Sequence, residues 1–236
     1  MINSASLPFH PTMPVQDHRP RVAAERRERM RLRLLSTAVR LGAEKGPAAI
    51  TIDDVVVGAE VSRGSFYKYF PSTEALLREV ATEIANELIR MAEPVVLGFD
   101  DPAQRVACGI RLVARTAIDH PEVAAFLVRL GWPDVRGPDI LLDFVRRDLS
   151  EGIRKRRFAR MPITLALNIV AGAVLGAAHC MLDPGCERDF AEQSAAAALR
   201  ALGVPADEAK RISVQRLQAV ERPAGGIFAE TIALSA

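Results

Sequence analysis

Residues 51–77 read TIDDVVVGAEVSRGSFYKYFPSTEALL, and this stretch decides the fold. Thr51 can cap a short helix on which Ile52, Val55, Val56 and Ala59 share a face, and Asp54 stands where it can return a hydrogen bond to the cap. Ser62 offers a second cap shortly after, and Pro71 closes the segment that it opens. The spacing predicts two short helices across a tight turn. In the second, Phe66 and Phe70 stand four residues apart and turn inward with Val61, leaving Arg63, Ser65, Tyr67 and Lys68 outward. A helix that reads a DNA groove needs that division, with one face hidden and polar, basic and small groups on the other. Gly64 lets the backbone come close to a phosphate, and the helix N-termini at Thr51 and Ser62 favour anions. The candidate DNA contacts are therefore Thr51, Ser62, Arg63, Gly64, Ser65, Tyr67, Lys68 and Tyr69, with Arg63, Ser65 and Tyr67 placed for base edges.

Upstream, Leu34, Ala38 and Leu41 recur at helical spacing, and Gly46-Pro47 stops a helix running from about Val22. Between Arg19 and Lys45 stand nine basic residues against three acidic ones, a local excess on a chain whose formal charge is only +2. The combination Arg33-Leu34-Leu35-Ser36-Thr37-Ala38, Glu44-Lys45-Gly46 and Thr51 to Leu77 resembles the DNA-binding region of TetR-family regulators, over about Arg26 to Leu77. The resemblance implies a nine- or ten-helix fold, a homodimer formed through the last long helices, a palindromic double-stranded DNA operator, and release by a small-molecule effector. Three positions depart from the family pattern. Gly42 stands where an aromatic residue is usual, which predicts looser packing of the first helix; Glu60 takes a turn position commonly held by glycine; Thr73 replaces a frequent phosphate-binding lysine.

The remaining chain reads as all-α. Of 236 residues, 49% are hydrophobic, 5% aromatic and 25% charged, too apolar for wholesale disorder and poor in β-branched runs. Four prolines before residue 21 suggest a disordered tail over 1–20, followed by a helix-turn-helix domain at 21–71, an effector-binding and dimerisation domain at 72–221 with helix 4 as connector, and a tail at 222–236. Helix 4 should end at Pro94, helix 5 run from the Asp101 cap to Asp119, and helices 6 to 10 open near Pro121, Pro138, Pro162, Glu187 and Pro205. Three cysteines, Cys108, Cys180 and Cys186, do not suggest a disulfide framework, and a cytoplasmic protein fits best.

Helix 8, Pro162 to Leu182, carries no formal charge and repeats Asn168, Gly172 and Gly176 at four-residue intervals. With Ala195 and Ala198 of helix 9 these positions suggest a close-packed dimer interface. The same stretch is long enough to span a bilayer, so a single-span anchored regulator is the alternative; Asn168 and His179 argue against lipid and favour a protein without a membrane partner. Phe99, Cys108, Phe126, Trp132, Phe144, Asn168 and His179 are candidates for an effector cavity. No phosphate loop, nucleophile elbow or paired metal-ligand spacing is visible, so no catalytic residues, metal or cofactor are expected and an α-helical enzyme is the weaker reading.

Overall fold

The computed structural model describes residues 19–132, 140–220 and 225–235, and all regular structure among them is helical. The order is α1 (Arg19–Lys45), a 3-10 turn (Pro47–Ala49), α2 (Ile52–Gly58), α3 (Arg63–Tyr67), α4 (Thr73–Val96), α5 (Pro102–Asp119), α6 (Pro121–Leu130), α7 (Ile140–Arg154), α8 (Ile163–Met181), α9 (Phe190–Ala201), α10 (Ala206–Ser213) and α11 (Ile227–Ser235). Most of the expected tail at 1–20 lies outside the described residues, and its last two positions already belong to α1.

Local chemistry fixes most boundaries. Ser72 caps α4 by accepting the Ala75 N–H at 3.2 Å, and Asp101 caps α5 by accepting the Ala103 N–H at 3.0 Å. Pro94 does not end α4, which runs to Val96. A proline in the last turn removes a single intrahelical bond, a small cost where Val95 and Val96 are buried. α7 stops at Arg154 rather than Phe158; Arg156 then takes a positive φ of 58°, and Arg157 swings away to pair with Asp101 and Glu208.

α5 is the spine of the larger half and packs against α4, α6, α7, α8, α9 and α10. Its inner positions Ala103, Ala107, Ala114 and Ala117 are small and buried, which lets neighbouring helices approach on several sides. α8 is long and apolar enough to cross a bilayer, yet it packs against α5, α6, α7 and α9. Cys180 and Cys186 form a disulfide from the end of α8 to the turn before α9, a local clasp that the odd cysteine count concealed; Cys108 is free and buried.

Two features correct the sequence reading of how the halves meet. The aromatic that the sequence pattern lacks at Gly42 is supplied in space by Phe126 of α6: a Cβ on Gly42 would lie 2.5 Å from the ring, and Phe126 is completely buried. The packing there is therefore tight. The expected tail at 222–236 contains α11, whose Ile227 and Phe228 are fully buried in the same core cluster as Leu34, Phe66, Leu88 and Phe126. Glu87 of α4, itself buried, accepts the N–H of Ile227 at 2.5 Å and of Phe228 at 3.1 Å, so a side chain from another helix caps α11. Burial pushes the Glu87 carboxyl above its ordinary range, against the pull of those two N–H groups. Gly226, at φ 92°, leaves room for this carboxylate.

Removing the ring in Phe126→Ala should cost about 3–5 kcal/mol of stability, and Gly42→Ala about 1–3 kcal/mol through overpacking, measured by urea denaturation. If Gly42→Ala proved neutral, the contact would be looser than the geometry shows.

Candidate functional site

The predicted reading unit forms as α2, a turn and α3. Thr51 Oγ1 accepts the Asp54 N–H at 3.2 Å while Asp54 Oδ2 accepts the Thr51 N–H at 2.8 Å, completing the reciprocal cap. The Lys45 ammonium, foremost, and the Thr51 hydroxyl and N–H hold the Asp54 carboxyl far below the usual carboxylate range. Ser62 caps α3 through the Ser65 N–H at 3.1 Å. Phe66 and Phe70 are buried with their ring centroids 6.0 Å apart, and Phe66 anchors α3 on α1 and α2 through the shared core.

Opposite that anchor, Arg63, Gly64, Tyr67 and Lys68 are exposed, Ser65 and Tyr69 half-buried, and Thr51 and Ser62 exposed at the two helix starts. All eight expected DNA-contact residues thus cluster on α2–α3, and the outward faces of α3 agree with the pattern. Sequence reasoning missed that Arg63 is engaged: its guanidinium forks onto Asp53 of α2, with Nε–Oδ1 at 2.9 Å and Nη2–Oδ2 at 2.5 Å. The fork engages Nε and Nη2, so Asp53 orients the guanidinium and Nη1 is the group left to meet a base or phosphate while the pair is closed. Glu60 has the positive φ that its turn position suggested, 53°, and accepts from Arg33 Nη2 at 2.8 Å.

In the larger half a cavity of about 520 Å³ lies between α4, α5, α6, α7 and α8. Ile84 and Leu88 of α4, Val113 of α5 and Val170 of α8 contribute to its apolar wall, and Glu93, Arg105 and Asp148 supply charged groups. Asp148 accepts from Arg147 Nε at 3.0 Å and from Arg105 Nη1 at 3.4 Å, and Arg105 also donates to Glu151 at 2.8 Å. Of the expected effector residues, Trp132 and Phe144 line the cavity and the other five do not. Phe126 fills the joint with Gly42. Phe99 and Cys108 pack with Val95 and Val96 in a separate cluster, where burial pushes the Cys108 thiol up to about 11. Asn168 accepts from Trp132 Nε1 at 2.7 Å and donates to the Thr164 carbonyl, and His179 is exposed. The missed residue with a legible signal is Asp148, a carboxylate on the buried stripe of α7 beside Val145, Leu149 and Gly152.

The expected dimer positions separate as well. Gly176 is exposed and Asn168 and Gly172 are half-buried, but Ala195 and Ala198 lie inside the core formed with α5 and α10, so they belong to the fold of one subunit. Among the described residues no group of His, Cys, Asp or Glu is arranged to hold a metal.

A capped two-helix reading unit on an all-helical body with an apolar cavity defines a helix-turn-helix transcription regulator. Residues 34–80 match the family described as bacterial regulatory proteins, tetR family, and residues 101–216 match the tetracyclin repressor-like C-terminal domain. The chain is 32% identical to RolR, solved in complex with resorcinol, over 83% of this chain and 98% of that one, at a TM-score of 0.64. It is 36% identical to the regulator EthR of Mycolicibacterium smegmatis over 99 residues, which is 39% of this chain and 42% of EthR. A TetR-family regulator structure from a Shewanella species, 20% identical and at a TM-score of 0.64 over 75% of this chain and 99% of that one, shares the fold. The chain belongs to the TetR family of transcription regulators. It spans about half the length of the curated relatives it matches.

Two substitutions should act in opposite directions in a gel-shift titration. Tyr67→Ala removes an exposed ring and should weaken duplex binding by about 1–3 kcal/mol. Asp53→Asn frees Arg63 and removes a negative charge from the reading face, so the midpoint should move to lower protein concentration; a midpoint that rises would show that the Arg63–Asp53 pair survives in the complex.

Proposed function

We propose that the chain is a cytoplasmic repressor that binds a palindromic operator as a homodimer and lets go when a small, mostly apolar molecule enters the cavity between α4 and α8. The observation that carries this reading is the position of the cavity: α4, which leads directly from the reading unit, forms one of its walls. A ligand that favours a different setting of α4 shifts the separation of the two reading helices, and two half-sites about 34–36 Å apart tolerate little change. The apolar wall accepts a hydrocarbon or aromatic body, and Asp148 and Arg105 accept or donate a hydrogen bond at one end. RolR, with resorcinol bound, supports a ligand of that kind and makes resorcinol the first probe.

For the dimer we favour the outer face of α8 with α9. Leu165, Gly176 and His179 are exposed along α8 with Ile169 and Gly172 half-buried between them, and Ala197 and Ala201 are exposed on α9. An isologous pairing would cover this stripe. The packing of α8 against four helices of its own chain supports a bundle helix over a membrane anchor.

The single tryptophan, Trp132, lines the cavity and reports its occupancy. Titration with resorcinol should change its fluorescence and weaken duplex binding, and Val174→Phe, which fills the cavity, should abolish both responses while duplex binding persists. If a saturating fluorescence change left the duplex affinity unaltered, occupancy and release would be unconnected. For the dimer, Gly176→Arg places a charge where a Cβ meets no neighbour within the subunit; light scattering should show a folded monomer, and a persistent dimer would move the interface elsewhere.

A further inference from the structure

α1 is 27 residues long, about 40 Å, and its first half extends well ahead of residue 34, where the family match begins. Every residue from Arg21 to Arg29 is exposed, so packing does not explain this extension. Its acids are already engaged: Glu25 pairs with Arg21, and Glu28 pairs with Arg31, which also reaches Glu79 and Glu83 of α4. Among the described residues no carboxylate pairs with Arg26, Arg27 or Arg29. The arm therefore presents three unneutralised guanidinium groups within four positions.

Direction comes from Arg33. Arg26, Arg29 and Arg33 follow at i, i+3 and i+7, which places them along one face of α1. At its inner end Arg33 bonds Glu60 in the turn that leads into α3. The arginine stripe thus leads outward from the turn that opens the reading helix. Between Arg33 and Arg26 it runs about 10 Å, comparable to the rise of about three base pairs along a duplex axis.

We propose that the exposed half of α1 is a second DNA-binding element, which lies on the phosphate backbone outside the base pairs read by α3 and holds it without regard to sequence. The proposal rests on α3 reading DNA, and its test separates the two. Duplexes enriched from a randomised pool by the wild-type protein would be titrated with the wild type and with R26Q/R27Q/R29Q, once with ten flanking base pairs on each side and once trimmed to the enriched site. Glutamine keeps the helix propensity of arginine, and unchanged thermal melting would confirm the fold.

On flanked duplex the variant should bind about tenfold or more weakly near 0.1 M salt, and its log–log salt slope should fall by about two to three per subunit. On trimmed duplex the two proteins should bind alike, and both should enrich the same sequence. Equal salt slopes on flanked duplex, or an equal loss on trimmed duplex, would overturn the arm. If the wild type enriches no sequence, the reading by α3 fails; the arm is then judged on unselected duplex, where the same difference in slope is required.

Discussion

The ring of Phe126 against the bare backbone of Gly42 is the contact on which the rest of the architecture depends. It joins α6 of the larger half to α1 of the reading unit, where a side chain on α1 would otherwise stand. The core around it runs without interruption from Leu34 and Phe66 through Leu88 to Val123 and Phe228, so the two halves share one close-packed interior rather than meeting across a wet joint. α4 is not the sole mechanical link. α6 bears on α1 through Phe126, and α11 binds α1 and α4 with its N-terminus held by the Glu87 carboxylate. Leu127, beside Phe126, lines the cavity. On the proposed reading a ligand therefore reaches the reading unit by two routes, the wall on α4 and the ring on α6.

Charge does a different task in this molecule. Around the cores, arginines sit in multidentate settings: Arg31 with three glutamates, Arg105 with Asp148 and Glu151, Arg111 with Glu192 and the Gln215 carbonyl. Arg111 and Asp148 are buried, so these bonds answer the cost of desolvation as much as they add stability. The reading surface is kept otherwise. Lys68 stands exposed, and the fork of Arg63 on Asp53 is an exposed pair that phosphate or base oxygens can displace with little loss.

What the sequence disclosed follows from the range of each interaction. Caps at Thr51, Ser62, Ser72 and Asp101 are settled within three residues, so α2, α3, α4 and α5 were legible at their starts, and the Phe66–Phe70 pair marked the hidden face of α3. Interactions across tens of residues were not. Phe126 looked like a cavity residue because nothing near it in the chain announces Gly42 as its seat. α11 looked like a tail because its cap is Glu87, some 140 residues away. Ala195 and Ala198 show the limit of composition: small residues mark a close helix approach, and here the partners are α5 and α10 of the same subunit. Asp148 was findable, since a carboxylate on an apolar stripe signals either a partner or a site, and it has the first while bordering the second.

Glu60 brings these strands together. A non-glycine residue at φ 53° carries strain of about 1–3 kcal/mol, which glycine at the same place would avoid. The side chain that imposes the strain is also the acceptor for Arg33, and that bond ties the turn before α3 to the face of α1 on which Arg26 and Arg29 stand. Glycine would relax the turn and cut this tie. The shared core of Leu34, Leu35 and Phe66 sets the relation between the reading helix and α1, and the exposed Arg33–Glu60 pair adds a weak tether at the strained turn, beside the face on which the arginine stripe stands.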